Sequence, residues 1–456
     1  MRLRIVPGSI AEGEIRVPGD KSIAHRWLIL AVSARGRSRL EGLPASLDVR
    51  SMASCLARIS PTAGPSLEAW SHKVAAVAEG NGSTWNAGRS ESAAPPLEVE
   101  GEGRDALTEP RVDLDCGNSG TAMRLLAGAL APAPFRSVLV GDESLSARPM
   151  ERVAEPLREM GALVVTTGGH APIEVIGGHL HGISYRLPRP TAQVKSAILF
   201  AALAAEGRTV VVEPAKTRDH TERALAALGA PIVVEELSIT LDPYQHEGFT
   251  GRVPGDPSSA AFLVAAAGSS GTALTLVDVS LNPTRLGFLD VMRRMGIRTE
   301  IRPTGEMLGE PVGELQVEAG TSLTGTRIEA NELPLVVDEV PILAILGAHA
   351  AGETWFKGAG ELRMKETDRL SGVADGIRAM GGDASAEGDD LIVTGAGLRG
   401  GLVDAHGDHR LAMAFTVGAL TATSPCEVEG MEAADVSYPG FVSALGGLGA
   451  TLEVTG

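Results

Sequence analysis

Four stretches place cations and small polar side chains immediately ahead of long apolar runs. Lys21, Ser22 and Arg26 stand in VPGDKSIAHRWLILA at 17–31, and Asn118, Ser119, Gly120, Thr121 and Arg124 in CGNSGTAMRLLAGAL at 116–130. Gln193 and Lys195 stand in PTAQVKSAILFAALA at 190–204, and His409 and Arg410 in HGDHRLAMAFTVGAL at 406–420. Each polar cluster falls where a helix of small apolar residues should begin. Free backbone N–H groups and the positive end of the helix dipole favour anions at such a place, so the chemistry predicted is capture of phosphate or carboxylate. A glycine such as Gly120 lets an anion approach the backbone closely. ELRMKETDRL at 361–370 is predicted to bring Lys365, Glu366 and Arg369 within one helical turn, and ESLSARPMERV at 143–153 sets Arg148 before a Pro-initiated helix. Taken singly, each run has an ordinary explanation: a solvated lysine, an Asn-Ser-Gly turn or an ion-paired helix face. Recurrence in register carries the functional reading.

The elements that must position these groups repeat along the chain. VPGDKSIAHRWLILA returns as VPGDPSSAAFLVAAA at 253–267, a displacement of 236 residues, and VVDEVPILAILGAHA at 336–350 completes a set of six related stretches. A second element, an amphipathic helix ending in Leu or Met, then Gly, then a β-like run, recurs at Gly161, Gly229, Gly296, Gly381 and Gly449. Glycine just past a helix is the usual left-handed cap, with a strand following directly. The intervals of 68, 67, 85 and 68 residues imply a unit of two helices and several strands. Six units, with the strongest duplicate half a chain apart, predict an α/β protein of two similar domains, three units each. A symmetrical arrangement would bring the helix starts to one cleft. Between Ser60 and Glu109 a Gly-, Ser-, Pro- and Ala-rich stretch breaks the rhythm. It is predicted to be a surface insertion, partly mobile, with a short Ala-rich piece near 68–79.

Composition narrows the class. A chain of 456 residues exceeds one ordinary core and predicts two domains of about 200 residues each. Aromatic residues make up only 3% against 44% hydrophobic, so Ala, Val, Leu and Ile must fill the cores. The net charge of −17 argues against nucleic acid or an anionic membrane as partner. Cys55, Cys116 and Cys426 are too few and too scattered for a disulfide framework or a zinc site. MRLRIVPGS holds no run long enough for a signal peptide and no stretch approaches a membrane span, so a reducing cytoplasm is expected.

VPGDKSIAHR, GNSGTAMR, RPMERV, AQVKSA, TRDHTE, MKETDRL and DHRLAMAF occur in the order and approximate spacing of the 5-enolpyruvylshikimate-3-phosphate synthases, which the chain resembles from about residue 5 to the end, apart from the insertion. The resemblance implies transfer of the enolpyruvyl group of phosphoenolpyruvate to the 5-hydroxyl of shikimate 3-phosphate, with release of phosphate and without metal or organic cofactor. It implies two domains of three βαβαββ units, the inside-out α/β barrel of enolpyruvyl transferases, with the active site in the interdomain cleft. One domain would comprise 1–18 plus 254–456 and the other 19–253, with the insertion near 60–109. The crossovers would lie near Pro18–Lys21 and Thr250–Gly255, so that the first strand belongs with the C-terminal half and Lys21 engages fully only on closure. A monomer with small-molecule substrates alone is expected.

Carried over by position, the resemblance makes Lys21, Ser22, Arg26, Thr191, Ala192, Gln193, Arg218, Asp338 and Lys365 ligands of shikimate 3-phosphate. Lys21, Gly120, Arg148, Gln193, Arg369 and Arg410 would hold phosphoenolpyruvate, the guanidinium forks suiting carboxylate and phosphate. Asp338 would act as base for the 5-hydroxyl, with Glu366 and Lys21 managing the proton at C3. Thr191 replaces the family's usual Ser, Glu361 an Asn of one branch, and Val436 and Ser437 stand where that branch carries a late Lys. Glyphosate occupies the phosphoenolpyruvate site in this family, and Gly120 offers no methyl group to crowd it. Two other functions fit part of the sequence. One is the related transferase acting on UDP-N-acetylglucosamine, which needs a loop Cys that no cysteine here matches. The other is a non-catalytic anion binder, against which Asp338, Glu366 and Lys21 together argue.

Overall fold

The computed structural model describes residues 1–80, 94–320 and 322–455. Six helices rich in small apolar residues form its interior: α1 (Lys21–Ser33), α2 (Gly120–Leu130), α3 (Ala192–Ala202), α4 (Pro257–Ser270), α5 (Val340–His349) and α6 (His409–Leu420). They are buried on all sides rather than along one stripe; every residue from Pro257 to Gly268 of α4 is covered. Small side chains permit that closeness. A Cβ on Gly128 of α2 would stand 2.2 Å from the Ala197 carbonyl oxygen of α3, so only glycine fits that crossing.

Around these helices the strands of the described residues form six small sheets. Each contains one parallel pair, the two strands that flank an inner helix, and most add an antiparallel hairpin after a second helix. Leu114–Asp115, for example, runs parallel to Arg136–Val140 on either side of α2, and the hairpin Leu163–Thr167 with His170–Ile176 follows the outer helix Glu151–Glu159. This is a βαβαββ unit, and the glycines at 161, 229, 296 and 381 that precede its hairpins, with Gly449 before the last strand, all have positive φ.

Three units are completed by distant chain. Arg2–Val6 lies between Cys426–Glu429 and Thr451–Val454, filling the sheet of the last unit. Gly13–Arg16 pairs in parallel with Leu274–Ser280 beside α4, and Thr250–Arg252 pairs in parallel with Arg35–Glu41 beside α1. The chain therefore passes between neighbouring sheets twice, and the passages touch at a Gly19–Gly255 bridge. Buried apolar side chains fall into two clusters, one running from Ile23 to Val253 and one joining Leu3–Val17 to Ala260–Leu448.

The predicted insertion near 60–109 needs correction. Gly64–Gly80 is a helix and Leu97–Glu102 a strand paired with Arg35–Glu41, while the Gly- and Ser-rich centre at 81–93 lies outside the described residues. Ala63, Leu67, Trp70 and Val74 recur at helical spacing and are buried, which ties this segment into the core. The polar and helix-breaking residues between them obscure the stripe.

Candidate active site

The helix starts do not all offer free N–H groups. Asp20 caps α1, its Oδ1 accepting from the backbone of Ser22 at 2.7 Å and Ile23 at 3.1 Å. Asp256 caps α4 through Ser258 N–H, and Asp408 caps α6 through Arg410 and Leu411 N–H. The aspartates of the repeated Gly-Asp motif are thus N-caps that fill the anion position themselves. Ser119 caps α2 at Ala122. By contrast α3, begun by Thr191 with Ala192 and Gln193 behind it, has no side-chain cap, and neither has α5, begun by Glu339; an uncapped helix end favours an anion.

Side chains supply most of the cationic character. Lys21 donates to Asp48 Oδ2 at 2.9 Å. Arg26 is buried and spends its fork on the Thr221 hydroxyl, the Ser196 hydroxyl and the Ser22 carbonyl, all at 2.8 Å. Arg124, also buried, donates to Gln193 Oε1 at 2.6 Å and to the Pro149 carbonyl. Gln193 in turn donates to Thr121 Oγ1 at 2.9 Å. Neither arginine hydrogen-bonds to a carboxylate among the described residues, and burial pushes both pKa values down. Guanidinium groups nonetheless stay charged. Their hydrogen bonds go to neutral groups, while Glu222 and Asp20 act on Arg26, and Glu361 and Glu366 on Arg124, through charge alone. Arg148 reaches Asn118 Oδ1 at 2.7 Å, and a Cβ on Gly120 would lie 2.8 Å from Arg124 Nη1 and 3.4 Å from Arg148 Nη1.

Opposite these groups stand two carboxylates from the other apolar cluster's side. Asp338 meets Arg218 Nη2 at 2.5 Å, Lys365 Nζ and Arg410 Nη2 at 3.7 Å, and Arg369 Nη1 at 3.9 Å. Glu366 pairs with Arg369 Nη2, lies 3.7 Å from Arg148, and accepts from the Ser144 hydroxyl through its backbone oxygen at 3.0 Å. Burial opposes ionisation of both. Arg410, Arg218, Lys365 and Arg369 overcome it at Asp338, whose carboxyl is held well below its ordinary range. Arg369, followed by His409, Arg148 and Lys21, does the same for Glu366. His409 is kept neutral by burial, reinforced by Lys21, and its Nε2 has no hydrogen-bond partner. Arg369 is anchored at its Nε by Asp408, the cap of α6, at 2.8 Å.

The structure thus brings Lys21, Arg26, Gly120, Arg148, Gln193, Arg218, Asp338, Lys365, Glu366, Arg369 and Arg410 into connected clusters at the helix starts, with Ser22 on α1 and Thr191 and Ala192 opening α3. One local expectation fails. Lys365, Glu366 and Arg369 do not share a helical turn, because Ala359–Met364 is a 3₁₀ segment and Asp368 caps a new helix that begins at Arg369. Lys365 and Glu366 lie in the bend between. Sequence reasoning also missed Asp48, Ser196 and Thr221. Asp48 carried a signal, an acid on the face that buries Val49, Met52 and Leu56.

The sequence pattern of the family described as EPSP synthase (3-phosphoshikimate 1-carboxyvinyltransferase) matches residues 5–445. A 3-phosphoshikimate 1-carboxyvinyltransferase of Halorhodospira halophila is 44% identical over 458 aligned residues, covering 99% of this chain and 97% of the relative. One from Acidithiobacillus ferrooxidans is 43% identical, with 99% of each chain covered. The solved EPSP synthase of Acinetobacter baumannii superposes over the full length of both chains with a TM-score of 0.81 and 36% identity. The enolpyruvyl transferase NikO of Streptomyces tendae, at 18% identity and a TM-score of 0.74, shares the fold. The chain belongs to the EPSP synthase family of 3-phosphoshikimate 1-carboxyvinyltransferases.

Proposed function

We propose that Asp338 removes the proton from the 5-hydroxyl of shikimate 3-phosphate and that Glu366, with Lys21, delivers the proton to C3 of phosphoenolpyruvate. The reaction is that of the family: the enolpyruvyl group passes to the 5-oxygen and inorganic phosphate leaves. One observation carries the assignment. The two arms of Arg369 point to the two carboxylates, Nη1 to Asp338 at 3.9 Å and Nη2 to Glu366, so an anion seated on this guanidinium lies between both. The same pair serves addition and elimination with roles reversed. Arg148, Arg369, Arg410 and Gln193 would clamp phosphoenolpyruvate, while Ser22, Arg26, Thr191, Ala192, Arg218 and Lys365 would hold shikimate 3-phosphate.

A carboxylate with a depressed pKa is a weak base, and the substrates resolve this. Phosphoenolpyruvate brings carboxylate and phosphate charges to the cations that now neutralise Asp338 and Glu366, so its binding raises both pKa values toward useful range. Free enzyme stores the two groups ionised; in the ternary complex Glu366 takes up a proton from solvent and becomes the acid, while Asp338 stays ionised as the base.

The division into bodies 1–18 plus 254–456 and 19–253, hinged at the two passages, is part of the proposal and is supported by the two apolar clusters. So are a monomeric state and a cytoplasmic setting, the latter supported by three cysteines held as buried free thiols. Among the described residues no helix is long and apolar enough to cross a membrane. The test is phosphate release from phosphoenolpyruvate with each acceptor. Turnover with shikimate 3-phosphate and none with UDP-N-acetylglucosamine is expected. Release with the nucleotide sugar alone would overturn the substrate assignment.

A further inference from the structure

Arg285 belongs to none of the substrate-binding motifs, yet it sits at the meeting point of the two chain passages. It lies in the 3₁₀ turn Pro283–Arg285, capped by Asn282, and is 3% exposed. One arm, Nη1, pairs with Asp20, the cap of α1; the other, Nη2, donates to Asp256 Oδ1, the cap of α4, at 2.7 Å and to Ser258 Oγ at 2.9 Å. Asp20 N–H also donates to the Pro254 carbonyl, and Asp256 N–H to the Pro18 carbonyl, both at 2.8 Å, so the passages are laced together around this side chain. Ser258 continues the connection, its hydroxyl donating to the buried carboxylate of Glu339, next to Asp338 in the chain.

We propose that Arg285 is a positioning residue for catalysis, holding the N-terminus of α1, with Lys21 and Ser22, in register with Asp338 across the junction of the two halves. Its fork is matched to this task. Two carboxylates that cap different helices are fixed at one distance by one planar group, while a hydroxyl leads on to the segment carrying the base. A lysine would keep the charge but not the two-armed geometry. The carboxylates are paired by the same residue, so their repulsion at the junction is removed and the two caps stay close. Since Asp20 sets the first turn of α1, displacement there moves Lys21 and Ser22 directly.

The proposal rests on the reading that Ser22 and Lys21 touch substrate, and the experiment separates the two claims. Arg285→Lys, Ser22→Ala and the double variant are compared for kcat, KM of each substrate and melting temperature. Arg285→Lys should fold, lose about tenfold or more in kcat and raise KM for shikimate 3-phosphate. In the Ser22→Ala background the same change should cost clearly less than the product of the single effects, because both act through the start of α1. A general loss of stability would instead leave the effects multiplicative. Arg285→Lys within about twofold of the parent, or multiplicative effects, overturns the positioning role. An inert Ser22→Ala beside an impaired Arg285→Lys overturns the ligand reading of Ser22. If Arg285→Lys does not fold, Ser258→Ala removes the link to Glu339 and keeps both ion pairs. It should lower kcat by about threefold or more with the folded state retained at the assay temperature, and unaltered kcat there overturns the proposal.

Discussion

Replacing Asp338 by asparagine keeps the shape of the side chain and removes one negative charge from among four cations. Arg218 is 2.5 Å away, Lys365 and Arg410 are 3.7 Å away and Arg369 is 3.9 Å away. A unit pair about 4 Å apart is worth about 4 kcal/mol at an effective dielectric near 20. Water reaching Arg218 and Lys365 reduces this, but Arg369 and Arg410 are buried and keep most of it. In the free enzyme the carboxylate therefore competes with an incoming anion for the same guanidinium groups. Asp338→Asn should tighten phosphoenolpyruvate by about tenfold, roughly 1.4 kcal/mol of the competition retained after screening. At the same time loss of the base should lower kcat by about 100-fold or more. Phosphate release measures turnover, and titration calorimetry with phosphoenolpyruvate in the presence of shikimate 3-phosphate measures affinity in the slow variant. Near-normal turnover with unchanged binding would refute the base assignment. Weaker phosphoenolpyruvate binding would refute the competition argument.

The same carboxylate has a signature in stability. Its folded pKa lies well below the ordinary value of 3.8, so its contribution is fully present above that value and is lost as pH falls through the folded pKa. Glu366 behaves alike below its ordinary 4.5. Acid unfolding of the parent should therefore steepen below about pH 4, with a shallower acid limb in Asp338→Asn. Parallel acid limbs would contradict the shift.

Three further substitutions test separate parts of the structure. Gly120→Ala sets a methyl group 2.8 Å from Arg124 Nη1 and 3.4 Å from Arg148 Nη1, so KM for phosphoenolpyruvate should rise while the fold persists; an unchanged KM would show that both guanidinium groups move aside freely. Gly128→Ala drives a Cβ to 2.2 Å from the Ala197 carbonyl between two buried helices, and should cost about 1–3 kcal/mol in urea unfolding, with no loss if α2 can shift. Arg26→Lys replaces three hydrogen bonds of 2.8 Å by a point charge; KM for shikimate 3-phosphate should rise about tenfold, and equal KM would remove Arg26 from the acceptor site.

What the chain discloses of all this follows from the range of each interaction. The repeat is legible because a helix start and a glycine cap are local events written in consecutive residues, and Gly161 or Gly449 needs no distant partner to adopt its backbone. Lys21, Arg148 and Arg410 are legible for the same reason, each sitting inside a short motif. The helix at Gly64–Gly80 is obscured because its apolar stripe is carried by only Ala63, Leu67, Trp70 and Val74 amid residues that favour turns. The bend at Lys365–Glu366 is hidden because an Asp-capped helix start at Arg369 looks, in sequence, like the interior of an ion-paired helix. Arg285 gives no sequence signal at all. Its partner Asp20 is 265 residues away, and only the passage of the chain between sheets brings them together.

The six related helix starts are therefore one device put to two uses. Where the motif ends in Asp, as at Asp20, Asp256 and Asp408, the carboxylate occupies the helix end and the neighbouring cation is freed for other work. Asp20 and Asp256 recruit Arg285 and lock the junction, while Asp408 recruits Arg369 and aims it between Asp338 and Glu366. Where the cap is missing, as at Thr191, the backbone itself stays available to an anion. The residue before the first turn thus varies among the copies: Asp caps three of the helices, Ser119 caps α2, and neither Thr191 before α3 nor Glu339 before α5 supplies a side-chain cap. Thr191→Asp, which would cap α3 as Asp20 caps α1, should lower affinity for shikimate 3-phosphate by about tenfold or more while raising the melting temperature. Tighter substrate binding in that variant would show that α3 is not the phosphate end.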